Sequence, residues 1–272
     1  GGANWLYPNA ASLVSDPRYH TTGDSFCLAF NAGAPLIDLE FSQFRESPAG
    51  ASRFGGKYFN AKRERFMEKY APQALEKAPR AKVVEAIYRE TMAGRGPIIW
   101  EPEGISETEV ANMATAKKYA GQKSFEVSID FQRILGGAKI NERAETPIPG
   151  LFAAGESSGG IQGAGRMQGD AFLETQIFGA NAGKNAASLA RNSTIRKVDP
   201  SQINNEELRI NNIKGNIDPI EITKKVHKIM WEQVGVLRDG VEMNKAVVKL
   251  EQLRREILPR ISGDDIFRAE AA

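Results

Sequence analysis

The stretch from Pro147 to Ala187 constrains the fold of this chain more than any other part of the sequence. It opens with a short apolar run at residues 151–154, of the length of a β-strand. A loop with six glycines in fifteen residues follows, from Gly155 to Gly169. Asp170 is typical of a helix N-cap, and residues 171–189 predict a helix with many small side chains.

A strand, a glycine-rich loop and a helix in this order are the unit that holds phosphates and cofactors in α/β folds. Glycine lets the backbone approach a flat ligand, and the start of a helix offers free N–H groups and the positive end of the helix dipole. The loop also carries one acid, Glu156, and one base, Arg166. An ordinary tight connection is the alternative, but it needs fewer glycines, so we interpret the loop as a ligand site.

Composition excludes several classes of protein. The chain has 272 residues, enough for one or two domains, and a formal net charge of +2, which predicts no nucleic-acid partner. Cys27 is the sole cysteine, so the sequence holds neither an internal disulfide nor a cysteine-ligated metal or iron–sulfur centre, and we expect no metal site. No apolar run is long enough to span a bilayer and the start is not a signal peptide, so we expect a cytoplasmic protein, either free or peripheral to a membrane.

The motifs GLFAAGE at 150–156 and GAGRMQGDAFLET at 163–175 resemble the flavin-end motif of the succinate dehydrogenase / fumarate reductase flavoprotein family. That family usually has Gly, Asn and Ser at the positions of Gln168, Asp170 and Ala171. The resemblance implies FAD as the cofactor. Glu156, next to Gly155, would accept hydrogen bonds from the ribityl hydroxyls, and the helix start from Asp170 through Ala171 to Phe172 would stabilise negative charge near flavin N1.

Two further segments resemble the flavin domain of the same family. The TGD turn that ends at Asp24 implies an approach to the cofactor, although a role of Asp24 as a helix cap alone remains open. The pair Gly136-Gly137, in RILGG, matches the glycines that bring the backbone to the flavin edge. The sequence contains no GxGxxG in a strand–helix context, which is the motif that holds the adenosine diphosphate half of the cofactor.

The residues that would act on a substrate lie between these segments. Arg80, in APR, matches the family arginine that moves a proton, although Ala81 replaces the usual aspartate. Arginine keeps its proton up to about pH 12, so it delivers one only from a shielded site with a relay behind it. Arg166 would bind an anionic substrate group. Arg45 and Gln132 stand where the family has its two substrate histidines. With both histidines replaced, the resemblance implies an anionic substrate that differs from succinate and fumarate.

The predicted fold class is α/β, or α+β overall. We expect a partial, Rossmann-like FAD-binding domain at 1–42 and 134–190, and an inserted α+β capping domain at 43–133. A polar linker at 191–216 and a C-terminal helical hairpin at 217–272 complete the prediction. The strong helix start DPIE at 218–221 supports the hairpin.

The resemblance implies a flavin-dependent dehydrogenase or reductase that moves a hydride between FAD N5 and a carbon of a small anionic substrate. An electron-transfer or iron–sulfur partner subunit is implied with it. Aspartate oxidase-like, adenylylsulfate reductase-like and steroid dehydrogenase-like enzymes are alternatives within the superfamily. A non-catalytic fragment, or a subunit that completes a flavin site with another chain, is the alternative of a different class.

Overall fold

The computed structural model describes residues 3–8, 22–47, 56–103, 123–167, 169–194 and 199–263. Its α-helices in these ranges are α1 (Asp24–Asn31), α2 (Met67–Tyr70), α3 (Arg80–Met92), α4 (Asp170–Arg191), α5 (Pro200–Asn211), α6 (Pro219–Gln233) and α7 (Gly240–Gln252). Its strands are β1 (Leu36–Ile37), β2 (Ser42–Ser47), β3 (Lys57–Phe59), β4 (Ile98–Glu101), β5 (Phe125–Ile134), β6 (Gly137–Lys139) and β7 (Ser158–Gly159). The mixture of helices and sheets is that of the α/β class predicted.

The chain forms two compact units. The larger unit comprises the described residues of Gly1–Pro8, Ser15–Ser42 and Arg133–Ala272, and the smaller unit comprises those of Gln43–Gln132. The larger unit contains a three-stranded sheet in the order β1-β6-β7, in which β1 and β6 are antiparallel and β6 and β7 are parallel. Because β7 follows the turn at Gly155–Ser157, this sheet fixes the beginning of the glycine-rich loop.

The smaller unit is built on a four-stranded sheet in the order β2-β5-β4-β3, with antiparallel pairing between β3, β4 and β5. Alternate residues of β5 face its core, where Phe131 packs edge-on against Phe44 with ring centroids 5.4 Å apart. Trp100 and Ile87 are also buried in this core. The smaller unit covers nearly the segment for which the sequence predicts a capping domain. The sequence also predicts a helix at 107–119 within this segment, and those residues lie outside the described ranges.

The C-terminal part of the larger unit is helical. The carboxylate of Asp218 accepts a hydrogen bond from the Ile220 N–H at 2.9 Å and starts α6, which confirms the predicted start. Asp239 caps α7 in the same way through the N–H groups of Val241 and Glu242. The segment predicted as a linker contains a helix, α5, which the polar composition does not indicate.

Candidate functional site

The glycine-rich loop of the larger unit is open where the sequence analysis places a ligand. Gly155 has φ of +66°, a left-handed conformation that favours glycine. A Cβ atom built at Gly163, Gly165 or Gly169 would meet no heavy atom within 4 Å. The Gln162 side chain ties the loop to α4, since its Nε2 donates to Glu174 Oε2 at 2.7 Å. This contact ties the middle of the loop to α4. The backbone has open space at Gly163 and Gly165, whereas a Cβ at Gly159 would lie 2.6 Å from the Gly137 nitrogen.

The pair Gly136-Gly137 is required by strand packing. A Cβ at Gly136 would lie 2.2 Å from the Asp38 carbonyl carbon, and one at Gly137 would lie 2.6 Å from the Ser157 oxygen. Neither position tolerates a side chain, because the backbones of neighbouring segments fill the space. The family resemblance predicts that these glycines bring the backbone to the edge of the cofactor. The structure shows that glycine is required because the protein's own backbone approaches these positions. Contact with a cofactor stays a prediction.

Glu156 is a half-buried residue whose carboxyl group is incompletely hydrogen-bonded. Burial raises the pKa of Glu156, while the positive charge of Arg133 and a hydrogen bond from the Ile134 N–H act against that rise. Its Oε1 is buried without a hydrogen-bond partner, and so is Arg133 Nε, which lies 3.8 Å away. A carboxyl group held in this way is suited to receive a ligand hydroxyl.

The start of α4 is open as well. Asp170 is the first residue of the helix, and the preceding N-cap is Gly169, with φ of +97° and no side-chain capping bond, so the prediction of Asp170 as N-cap was wrong by one position. Gly169 has no side chain that could cap this end, and the Phe172 N–H donates to the Gly169 carbonyl oxygen at 2.9 Å. The helix start therefore offers an anionic group its positive dipole end at Asp170 and Ala171. Ala171 is half-buried and Phe172 is 70% exposed.

Two other predicted residues of the larger unit lie near its surface. The Arg166 Nη1 donates to the Met167 carbonyl oxygen at 3.1 Å, and the side chain has further interactions. The exposed Asp24 carboxylate accepts a hydrogen bond from Thr22 Oγ1 at 2.7 Å but makes no capping bond to α1. The alternative that Asp24 acts as a helix cap is therefore not supported.

The predicted substrate residues of the smaller unit share one face of its sheet with an acid that the sequence analysis missed. Arg45 Nε and Gln132 Oε1 are buried without hydrogen-bond partners. Asp130, two residues before Gln132 and so on the same face of β5, is 4% exposed. Burial raises the pKa of Asp130, while a hydrogen bond from Ser47 and the charge of Arg45 lower it. The strand alternation would have found Asp130, since it puts an acid in line with Gln132.

Arg80 begins α3 directly after its N-cap Pro79, as the sequence predicts. Arg80 is half-buried. A cation at a helix start is unfavourable, and the first turn of α3 has no acidic residue to offset it. Among the described residues no group of three or more His, Cys, Asp and Glu side chains could hold a metal ion. In the same ranges no helix is long and apolar enough to cross a membrane.

Comparison with known proteins gives consistent relatives. A family profile described as "FAD binding domain" matches residues 2–171. An uncharacterized FAD-dependent oxidoreductase of Methanocaldococcus jannaschii is 34% identical over 278 residues, which covers 94% of this chain and 51% of that protein. A fumarate reductase (CoM/CoB) subunit of Methanothermobacter marburgensis is 35% identical over 280 residues, or 93% of this chain and 50% of that protein.

A solved structure agrees with these relatives. The FrdA chain of an Escherichia coli quinol fumarate reductase variant superimposes with a TM-score of 0.83 at 25% identity, and the match covers 100% of this chain and 53% of that chain. The mixed α/β fold predicted from the sequence is thereby confirmed. The chain spans about half the length of the curated relatives it matches.

Proposed function

The chain belongs to the FAD binding domain family, and on that premise we propose that it is the flavin-end part of a fumarate reductase/succinate dehydrogenase-like oxidoreductase. FAD is the cofactor that the family match indicates. When bound, FAD supplies hydride transfer between its N5 and a carbon of the substrate. The observation that carries the proposal is the half-buried Glu156, whose Oε1 has no hydrogen-bond partner, in a glycine-rich loop with open space at Gly163 and Gly165.

The residues of the larger unit fit a flavin in two respects. The unbonded Glu156 Oε1 can accept a hydrogen bond from a ligand donor, and the ribityl chain carries hydroxyls that Glu156 and the adjacent Gly155 backbone would bind. The uncapped start of α4, from Asp170 through Ala171 to Phe172, would stabilise negative charge on the ring system. Gly136-Gly137 and Asp24 complete the proposed contacts, on the strength of the family resemblance.

The substrate in this proposal is a small anion. We propose Arg166 as a residue that binds an anionic substrate group. Arg45 and Gln132, each of which has a buried polar atom without a hydrogen-bond partner, are proposed as further substrate-binding residues. Arg80 would hold and move the proton at the substrate carbon. The buried carboxyl of Asp130, beside Arg45, supplies an acid on the same face, although Ala81 replaces the family aspartate.

A partner protein completes this proposal. One relative is named as one of the subunits of a fumarate reductase, which supports an electron-transfer or iron–sulfur partner subunit for this chain as well. Because Cys27 is the sole cysteine of this sequence, the cysteine ligands of such a cluster would lie outside it. A cytoplasmic location, free or peripheral to a membrane, belongs to the same proposal.

The test of the enzymatic function is the effect of Arg80→Ala on turnover. The flavin-loaded protein is supplied with reduced viologen, and consumption of the dye is followed with a panel of unsaturated dicarboxylates. We expect Arg80→Ala to abolish turnover, at least a 10²-fold loss, while flavin absorbance is retained. Arg89→Ala, on an exposed turn of the same helix, is the matched control and should retain activity. Retained turnover in Arg80→Ala would remove Arg80 from the mechanism.

An assembly subunit is the second candidate, and the surface of α4 favours it. Phe172, Leu173 and Ile177 are exposed by 70%, 58% and 56% on the first two turns of this helix. Apolar side chains clustered in this way usually mark a surface that another polypeptide covers. A colourless preparation that gains flavin absorbance only with a second chain would support this candidate, whereas a yellow preparation of the chain by itself would support the complete site.

A further inference from the structure

The geometry around Glu156 points to a second ligand-contacting residue, Arg133, at the end of β5. We propose that Arg133 and Glu156 together bind one hydroxyl group of a polyhydroxylated chain, with Arg133 Nε donating and Glu156 Oε1 accepting. The inference rests on the proposed function, in which the ribityl chain of the flavin provides that hydroxyl.

Arg133 and Glu156 leave two complementary atoms unbonded in a buried place. The side chains are 13% and 22% exposed, and the separation of 3.8 Å between Nε and Oε1 is too long for a hydrogen bond. Neither atom has another partner. Leaving such groups unpaired costs free energy, so an arrangement of this kind requires a third group.

The two charges decide the chemistry of that third group. An anion would be repelled by Glu156 and a cation by Arg133, so the site favours a neutral group that both accepts and donates a hydrogen bond. A hydroxyl does both, and one oxygen can lie about 2.8 Å from each of two atoms that are 3.8 Å apart. The Ile134 N–H holds the Glu156 carboxylate from the neighbouring position, which keeps it in place for this role.

Comparison of riboflavin with lumiflavin tests the proposal, because lumiflavin has the same ring system without the ribityl chain. Binding is measured by quenching of flavin fluorescence. For the unchanged protein we expect riboflavin to bind more tightly than lumiflavin. Arg133→Met and Arg133→Lys should both lower the affinity for riboflavin by about tenfold or more, as expected for loss of a hydrogen bond to a charged group. The affinity for lumiflavin should stay within about twofold of its value in the unchanged protein.

The lysine variant separates a donor from a charge. Lysine keeps the positive charge but has a methylene at the position of Nε, so it would restore a simple ion pair and would not restore the proposed bond. Full riboflavin affinity in Arg133→Lys would therefore overturn the proposal. Arg143→Met and Arg143→Lys are matched controls, because Arg143 Nε lies 3.0 Å from Glu145 Oε1 on an exposed surface of the same unit. Neither should change the ratio of the two affinities.

The remaining outcomes distinguish this inference from the proposed function. Equal affinity of the unchanged protein for riboflavin and lumiflavin would mean that water occupies the site, which overturns the inference and leaves flavin binding intact. Absence of binding to riboflavin, lumiflavin and FAD would overturn both. Circular dichroism of each variant verifies the fold, and an unfolded Arg133→Met leaves the lysine variant to decide.

Discussion

Each unit of the chain places a glutamate beside an arginine, and the two pairs are built differently. In the smaller unit Glu90, with a side chain 2% exposed, receives two hydrogen bonds from Arg95, at 2.6 and 2.8 Å. The Asn60 amide and the Tyr70 hydroxyl add one bond each, at 2.9 and 2.8 Å. In the larger unit, Arg133 Nε lies 3.8 Å from Glu156 Oε1, and neither atom has a hydrogen-bond partner.

The pKa shifts of the two acids have opposite signs for this reason. Hydrogen bonds from Arg95, followed by those from Asn60 and Tyr70, outweigh burial and lower the pKa of Glu90 to about 2. At Glu156 burial dominates and raises the pKa. A closed network fixes the protein's own structure, while an open pair costs stability and is retained where a ligand completes it.

The largest expected effect comes from opening the closed network. Glu90→Gln leaves Arg95 without its charged partner, and we expect the free energy of unfolding to fall by about 3 kcal/mol, as for a broken buried pair. Urea unfolding followed by circular dichroism measures it. Glu85→Gln, which breaks two solvent-accessible pairs on the same helix, with Lys82 and with Arg89, is the control and should cost less than about 1 kcal/mol. Equal losses would contradict the contrast between closed and open pairs.

The same pair predicts how stability depends on acid. The folded-state pKa of Glu90 is about 2, below the ordinary value of 4.5. The unfolded chain therefore binds a proton first as the pH falls. The contribution of Glu90 to stability is complete above about pH 4.5 and is lost as the pH falls towards about 2. Glu90→Gln should flatten this part of the pH profile, and an unchanged profile would assign the acid sensitivity to other carboxyl groups.

An intermediate effect of opposite sign is expected at the open pair. Without flavin, Glu156→Gln removes a charge that burial penalises, so we expect the free energy of unfolding at pH 7 to rise, by about 1 kcal/mol. Since the folded pKa of Glu156 is raised, the unchanged protein gains stability as the pH falls through that pKa, and the variant does not. Urea unfolding at several pH values measures both. Glu142→Gln, at an exposed position, should change neither, and a loss of stability in Glu156→Gln would place Glu156 with the closed networks.

The contrast also indicates what the sequence can and cannot predict. The loop from Gly155 to Gly169 and the start of α4 follow from local residues, since glycine spacing and small helical side chains are visible in order along the chain. The pairing of Arg133 with Glu156 does not follow, because it depends on how the end of β5 meets the turn after Ala154. No spacing rule connects those segments.

Local errors have local reasons. Asp170 was predicted as an N-cap, but Gly169 adopts φ of +97° and takes that position, so the aspartate enters the first turn. Helix α5 was missed within a polar segment, although Asp199-Pro200 repeats the cap-and-proline signal of Asp218-Pro219. The polar composition of this segment predicts a linker, whereas the Asp199-Pro200 pair predicts a helix start, and the helix is what the structure contains.

The smallest expected effect extends the contrast between closed and open structure to the helix starts. Asp239 caps α7 through two backbone N–H groups at 2.9 and 3.2 Å, whereas Asp170 caps none at α4. We expect Asp239→Ala to lower the free energy of unfolding by about 1 kcal/mol. Asp170→Ala removes only a favourable charge–dipole contact and should cost about 0.3 kcal/mol. Parallel urea titrations measure both. Equal losses would mean that Asp170 closes the start of α4, which would remove the open helix start on which the proposed flavin contact depends.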